Sequence, residues 1–160
     1  MPVIHYLNVK EGDCSVITHT SGHVTVIDIC NARKADLLLE KAAAFLAAEE
    51  RGVLGNFNQK KYPVNPITYL GSHGITSVFR FIATHPDMDH LDGLKLFFET
   101  FRPLNFWDTD NQERKDFKQE AKYNEDDWLF YKRLRDTNPQ SDPKRLTLYS
   151  GTTRTVLQQE

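Results

Sequence analysis

Apolar and polar residues partly alternate along the first 30 residues, a pattern typical of β-strands with one buried face. The extended segments are residues 3–9, 14–20 and 23–29, and the third is rich in β-branched residues. Turn-forming residues separate them, with Lys10-Glu11-Gly12-Asp13 after the first segment and Ser21-Gly22 after the second. The pattern predicts three strands in an antiparallel meander.

Leu, Ala, Glu and Lys dominate residues 34–51, and the spacing of the apolar residues predicts an amphipathic helix that ends before Gly52. Residues 53–65 are polar and contain Gly, Pro and Asn, which predicts a long surface loop, either a plain connector or a flap near a site. Asn65-Pro66 has the character of an N-cap and first helical residue, so a short helix is expected up to residues 71–74.

A buried strand is predicted over residues 77–84, and the apolar spacing of residues 91–101 predicts a helix behind it. Asp89 and His90 should stand at the N-terminus of that helix, an end that favours anionic ligands and substrates. The remaining chain predicts, in order, a strand over 103–107, helices over 112–121 and 125–135, a polar loop over 136–144, and a hairpin of 145–149 and 153–157.

Composition adds the broad class of protein. With 160 residues, 39% of them apolar and 26% charged, the chain can form one globular domain or part of one. It has no apolar run near the roughly 18 residues that cross a membrane and no signal-peptide pattern, so a cytoplasmic location and no membrane partner are expected. The net charge of −2 argues against a large duplex-DNA surface but allows a groove for short or single-stranded nucleic acid. Cys14 and Cys30 are expected to be buried reduced thiols rather than a disulfide.

The densest chemistry lies in residues 84–93, directly behind the apolar run of residues 78–83. This segment contains two histidines and three carboxylates: His85, Asp87, Asp89, His90 and Asp92. Imidazole and carboxylate groups at a strand end can converge on Zn²⁺, Mn²⁺ or Fe. Helix capping by Asp89 and Asp92, or a hydrogen-bonded loop role for His85, would explain single residues but not the whole set. The segment therefore predicts a metal site.

Other chemically active residues are expected to be structural. Asp28, near the end of an apolar strand, is interpreted as a carboxylate that bonds loop backbone rather than as a metal ligand. Trp107, Asp108 and Asn111 follow a predicted strand, where a core-and-turn role is favoured over a pocket lining. The remaining histidines are interpreted as surface or sheet-face residues: His5, His19, His23 and His73.

These motifs resemble the metallo-β-lactamase-fold metallohydrolases, and within them the branch that includes the hydrolase-like domain of bacterial DNA-uptake competence proteins. Residues 4–14, IHYLNVKEGDC, are similar to the family's first strand and Gly-Asp turn, and Val26-Ile27-Asp28 is similar to its next motif. The family's metal loop, His-x-His-x-Asp-His, stands here as His85-Pro86-Asp87-Met88-Asp89-His90. Asp87 replaces the second histidine.

The resemblance implies an α/β (α+β) fold, an αββα sandwich with one or two divalent ions, Zn or Mn, at the sheet ends. His85 and Asp87 would serve one ion, and Asp89 and His90 the other. Because carboxylate oxygen is a harder ligand than imidazole, Asp87 should shift the preference from Zn toward Mn or Mg. Asp89 would orient or deprotonate a metal-bound water, whose pKa the ion lowers.

The family's later ligands, a Gly-Asp strand motif and a His-His-Gly-like turn, have no counterpart here, because no histidine follows His90. The resemblance therefore implies that residues 1–160 are the N-terminal part of one domain, completed by a C-terminal half or a second chain. The implied activity is hydrolysis of a phosphodiester or nucleic-acid-like substrate by metal-bound hydroxide. The alternatives are hydrolysis of a small-molecule amide, lactam or thioester, and a non-catalytic or degenerate binding module.

Overall fold

The computed structural model describes residues 1–34, 63–117, 122–137, 139 and 141–149, and it shows a six-stranded mixed sheet. In chain order and in space the strands are β1 (Val3–Tyr6), β2 (Ser15–Thr18), β3 (Val24–Ile27), β4 (Arg80–Ile82), β5 (Asn105–Asp108) and β6 (Lys144–Thr147). β1, β2 and β3 are antiparallel neighbours, which confirms the predicted meander. β3 to β6 are parallel neighbours, so their carboxyl ends share one edge of the sheet.

Three α-helices lie in the described ranges: α1 (Pro66–Ser72), α2 (Leu94–Phe101) and α3 (Glu125–Asp136). The predicted cap of α1 is confirmed, because the Asn65 side chain accepts hydrogen bonds from the backbone N–H groups of Ile67 and Thr68. No helix in these ranges is long and apolar enough to span a membrane.

The core lies between one face of the sheet and helices α2 and α3. The inward residues of neighbouring strands are in register, and all are fully buried: Val16, Val26, Phe81 and Phe106. Phe81 packs edge-on against Phe98 of α2, and Phe106 against Tyr131 of α3. Burial of each such ring stabilises the fold by roughly 1.5–3 kcal/mol. This core fixes the strand ends from which the candidate site is built.

The opposite face of the sheet carries isoleucines beside the buried polar residues Thr25 and Arg80, and part of it is exposed. Ile17, Ile27 and Ile82 point to this face and are half-buried, while Ile4 and Tyr6 of β1 are exposed. An exposed apolar sheet face is the kind of surface on which a further layer packs.

Some local predictions are corrected. Residues 112–117 are not helical, and α2 begins at Leu94, after a 3₁₀ turn over Met88–His90, so Asp89 and His90 precede the helix. Residues 145–147 belong to β6, which pairs with β5. The helix predicted over 34–51 lies outside the described residues from position 35. So do most of the 53–65 loop, residues 118–121 and the 153–157 hairpin arm.

Candidate metal centre

The parallel pair β3 and β4 brings Asp28 beside the loop of residues 84–93. The backbone N–H of Asp28 donates to the Ile82 carbonyl, and the N–H of Ile29 donates to the His90 carbonyl. A parallel bridge between Ile29 and Leu91 continues the pairing past the end of β4. The loop is thus attached along the strand that carries Asp28.

Asp28 is 3% exposed. Its carboxylate binds two residues of the loop, Thr84 at its start and His90 further along. Oδ1 accepts a hydrogen bond from the backbone N–H of Thr84 at 2.8 Å, the contact with loop backbone that was predicted for this residue. Oδ2 accepts from the hydroxyl of Thr84 and lies 3.0 Å from Nδ1 of His90. Asp28 therefore also orients one of the predicted metal ligands.

A short hydrogen-bond chain fixes the tautomer of both histidines. The Thr84 hydroxyl has one proton, which it donates to Asp28, so its oxygen accepts at 2.9 Å from Nδ1 of His85. A carboxylate oxygen only accepts, so Nδ1 of His90 is the donor in its contact with Asp28. In the neutral form of both rings, Nε2 is then the nitrogen that can bind a metal ion. Fixing of Nδ1 by an oxygen partner is the usual outer-shell arrangement of metal-bound histidines.

The two rings lie against each other, with centroids 3.9 Å apart. Asp28, His85 and His90 each place one potential ligand atom within 4.8 Å of the other two, and they form the one such group of three found in the described part of the chain. A Zn–N bond is about 2.1 Å, so a group spread over up to 4.8 Å would have to contract around an ion. Two imidazoles with neighbouring carboxylates fit Zn²⁺ or Mn²⁺.

The structure also brings together the two predicted ligand pairs. Nε2 of His85 lies 3.4 Å from Oδ2 of Asp87, and Nε2 of His90 lies 3.9 Å from Oδ2 of Asp89. Asp87 and Asp89 are partly exposed, so an ion between a ring and its carboxylate could also bind water. Asp92 is not part of this group, because its carboxylate accepts from Arg33 and from the backbone of Asn31.

Lys115 is a site residue that the sequence did not reveal. Its Nζ donates to Asp87 at 2.7 Å and to Glu113 at 2.6 Å. The hydrogen bond from Lys115 holds the pKa of Asp87 below its usual value, against the opposing effect of burial. Burial acts to lower the pKa of Lys115, but the hydrogen bonds to Asp87 and Glu113 raise it overall. The pair is therefore an ammonium bound to a carboxylate.

Lys115 reaches the loop because the helix predicted over 112–121 does not form where the chain is described. The Asn111 side chain accepts from the backbone N–H of Glu113 at 2.9 Å, and Asp110 has a positive φ of 55°. Such local side-chain bonds compete with helical backbone bonds. The Asp110-Asn111 pair, two turn-favouring residues directly behind a strand, was the signal for this turn.

The Gly-Asp turn of the first motif packs against the other side of the loop. A Cβ on Gly12 would lie 1.8 Å from the backbone oxygen of Asp89, and the φ of Gly12 is +65°. Glycine is needed here for both reasons, because only it allows the close approach and the left-handed backbone.

Two N–H groups at the N-terminus of α2 already bind a carboxylate of this chain, so they are not available to the anionic ligand predicted at this helix end. The Asp127 carboxylate of α3 accepts from the backbone N–H groups of Gly93 and Lys95, at 3.0 and 2.8 Å. These are the orphan donors with which a helix end binds anions.

The residues interpreted as structural have partners of that kind. Asp108 is buried and bound by Arg145, and burial raises its pKa despite that ion pair. Trp107 lies under the Arg80 guanidinium, and Asn111 forms the turn described above. Cys14 and Cys30 are buried free cysteines, and burial raises the pKa of both thiols. The four other histidines contact groups outside the metal cluster: Tyr69 for His5 and His73, Thr25 for His19 and Phe79 for His23.

Function is inferred from the geometry of these residues, because comparison with known proteins gave no relative. Comparisons with protein-family models, with curated proteins and with solved structures found no match to this chain.

Proposed function

We propose that this chain carries the metal-binding strand end of a metal-dependent hydrolase with a metallo-β-lactamase-like fold. The observation that carries the proposal is the hydrogen-bond chain His85–Thr84–Asp28–His90, which leaves Nε2 of both imidazoles available for coordination.

In the proposed centre, His85 and His90 hold the ion through Nε2, and Asp87 and Asp89 are the neighbouring carboxylates. A bound Zn²⁺ or Mn²⁺ would lower the pKa of a water molecule toward about 7 and so supply hydroxide at neutral pH. Asp89, partly exposed beside His90, would orient that water and accept its proton. Asp28 and Thr84 would keep the rings in the required tautomer.

The αββα sandwich is part of this proposal. Its support is the sheet itself, which has helices α2 and α3 on one face and the exposed side chains of Ile4 and Tyr6 on the other. A second β layer on that face, from a longer protein or from another chain, would bury Ile4 and Tyr6. The same layer would supply the further ligands that the resemblance implies.

The substrate class rests only on the resemblance of the sequence motifs to the competence-like branch, which favours a phosphodiester or a nucleic-acid-like substrate. The test is hydrolysis of bis(p-nitrophenyl) phosphate and of a single-stranded DNA oligonucleotide by the wild-type protein with Mn²⁺ or Zn²⁺. Activity should be lost in His90→Ala and Asp89→Ala. It should persist in His73→Ala, whose ring contacts Tyr69 instead. Equal activity in all four proteins would contradict the site.

One observation favours a second candidate function, a non-catalytic or degenerate binding module. Asp87 is bound by Lys115, and Asp28 already accepts three hydrogen bonds, so fewer carboxylate oxygens remain for an ion. This candidate predicts metal binding without turnover of either phosphodiester. A chromogenic β-lactam and a thioester in the same assay distinguish it from hydrolysis of a small-molecule amide, lactam or thioester.

A further inference from the structure

Lys115 is more buried than the two carboxylates it binds. Its side chain is 8% exposed, against 50% for Asp87 and 40% for Glu113. An ammonium removed from water is costly unless anions neutralise it, so this lysine is held at the site by its two ion pairs.

The backbone around Lys115 is fixed independently of the metal loop. Arg135 of α3, itself buried, donates from Nη1 to the Asn111 carbonyl at 3.0 Å. The Asn111 side chain in turn binds the N–H of Glu113. The segment is thus anchored to helix α3, and this anchor fixes the position of the Lys115 ammonium.

Both oxygens of Asp87 then have cationic or metal-binding neighbours. Oδ1 accepts from Lys115 at 2.7 Å, and Oδ2 lies 3.4 Å from Nε2 of His85. Asp87 can thus approach an ion at His85 through one oxygen only. A second ion at Asp87 would have to displace the ammonium, and Coulomb repulsion between the two cations opposes its binding beside Lys115.

We propose that Lys115 takes the place of a second metal ion, so that this site holds one divalent ion, on His85 and His90, next to a fixed ammonium. This inference rests on the proposed function, because it assumes that the two histidines bind a metal. It makes Lys115 a positioning residue, which sets the number of ions by occupying Asp87.

The test is the number of metal ions per chain. Wild type, Lys115→Met and Lys95→Met are loaded with excess Mn²⁺ or Zn²⁺, desalted and analysed by elemental mass spectrometry, with isothermal titration to resolve the steps. Lys95 is the matched control, since its Nζ binds Asp126 of α3 at 2.8 Å, an ion pair that involves no residue of the loop 84–93. If Lys115→Met does not fold, as judged by circular dichroism, Lys115→Gln keeps a hydrogen bond to Asp87 without the charge.

We expect one equivalent in wild type and Lys95→Met and two in the Lys115 variant. One equivalent in all three proteins, or two in wild type, would overturn the role of Lys115 and leave the metal centre standing. No metal in any of them would overturn the proposed function, and the inference with it.

Discussion

Two buried aspartates bracket the loop of residues 84–93, and they differ in what their oxygens bind. Asp28 and Asp127 are 3% and 4% exposed. Asp127 accepts from two backbone N–H groups at the start of α2, donors that are fixed by the fold. Asp28 accepts from one backbone N–H, one hydroxyl and one imidazole.

The difference shows how similar burial can serve two purposes. Both hydrogen bonds that Asp127 accepts come from backbone N–H groups, so this residue stabilises the start of α2. Asp28 instead binds two side chains, the Thr84 hydroxyl and the His90 ring, and through Thr84 it also orients the His85 ring. Burial of a carboxylate alone therefore does not identify a functional position, whereas the nature of its partners does.

The largest effect expected in this comparison is the loss of a ligand. His90→Ala should reduce the affinity for Zn²⁺ or Mn²⁺ by more than about 100-fold, beyond the range for outer-shell residues, because it removes one Nε2. Isothermal titration measures this loss. Asp127→Ala should leave the affinity per folded chain unchanged, and equal losses in the two variants would erase the distinction between the aspartates.

Asp127→Ala should instead lower the free energy of unfolding by about 3 kcal/mol, because it leaves two N–H groups of the α2 terminus without their charged acceptor. Urea unfolding followed by circular dichroism measures the change. The neighbouring control is Asp126→Ala, whose exposed ion pair with Lys95 should contribute far less, because solvent screens it. Similar costs for the two variants would refute the capping role.

Asp28→Asn should weaken metal binding by about 10- to 100-fold while the chain stays folded. The asparagine oxygen can still accept from one donor, but its NH₂ group cannot accept from Nδ1 of His90, so the tautomer is no longer fixed. Metal titration of this variant measures the effect. Wild-type affinity would mean that Asp28, like Asp127, is only structural.

The smallest expected effect concerns the outer side of the loop. Gly12→Ala and Gly22→Ala both place a side chain at positive φ, but only Gly12 faces the Asp89 backbone, whereas Gly22 has open space around it. Gly12→Ala should therefore cost at least about 1 kcal/mol more than Gly22→Ala in urea unfolding. Equal losses of unfolding free energy in the two variants would indicate that Gly12 does not pack closely against the Asp89 backbone.

The local parts of this structure could be predicted from the sequence. The meander and the Asn65 cap depend on residues that are neighbours along the chain, and their patterns are confirmed. The start of α2 was placed too early. Leu91 bridges to Ile29, and Gly93 adopts a φ of +92° against Ala32, and both contacts join distant parts of the chain.

The sequence predicts which residues of the candidate site lie close together, but not the hydrogen bonds that orient them. His85, Asp87, Asp89 and His90 stand within six residues, so their proximity follows from the sequence. The roles of Thr84 and Lys115 do not. Each depends on a partner that the fold brings from another element, Asp28 in one case and Asp87 in the other.

The most direct test of the account is the protonation of the histidine rings, measured by long-range ¹H–¹⁵N NMR before and after Zn²⁺ is added. Before metal, His85 and His90 should both carry the proton on Nδ1. One equivalent of Zn²⁺ should then shift the Nε2 signals of these two rings and leave the other four histidines of the chain unchanged. A proton on Nε2 of either ring, or unchanged signals on addition of Zn²⁺, would contradict the metal centre.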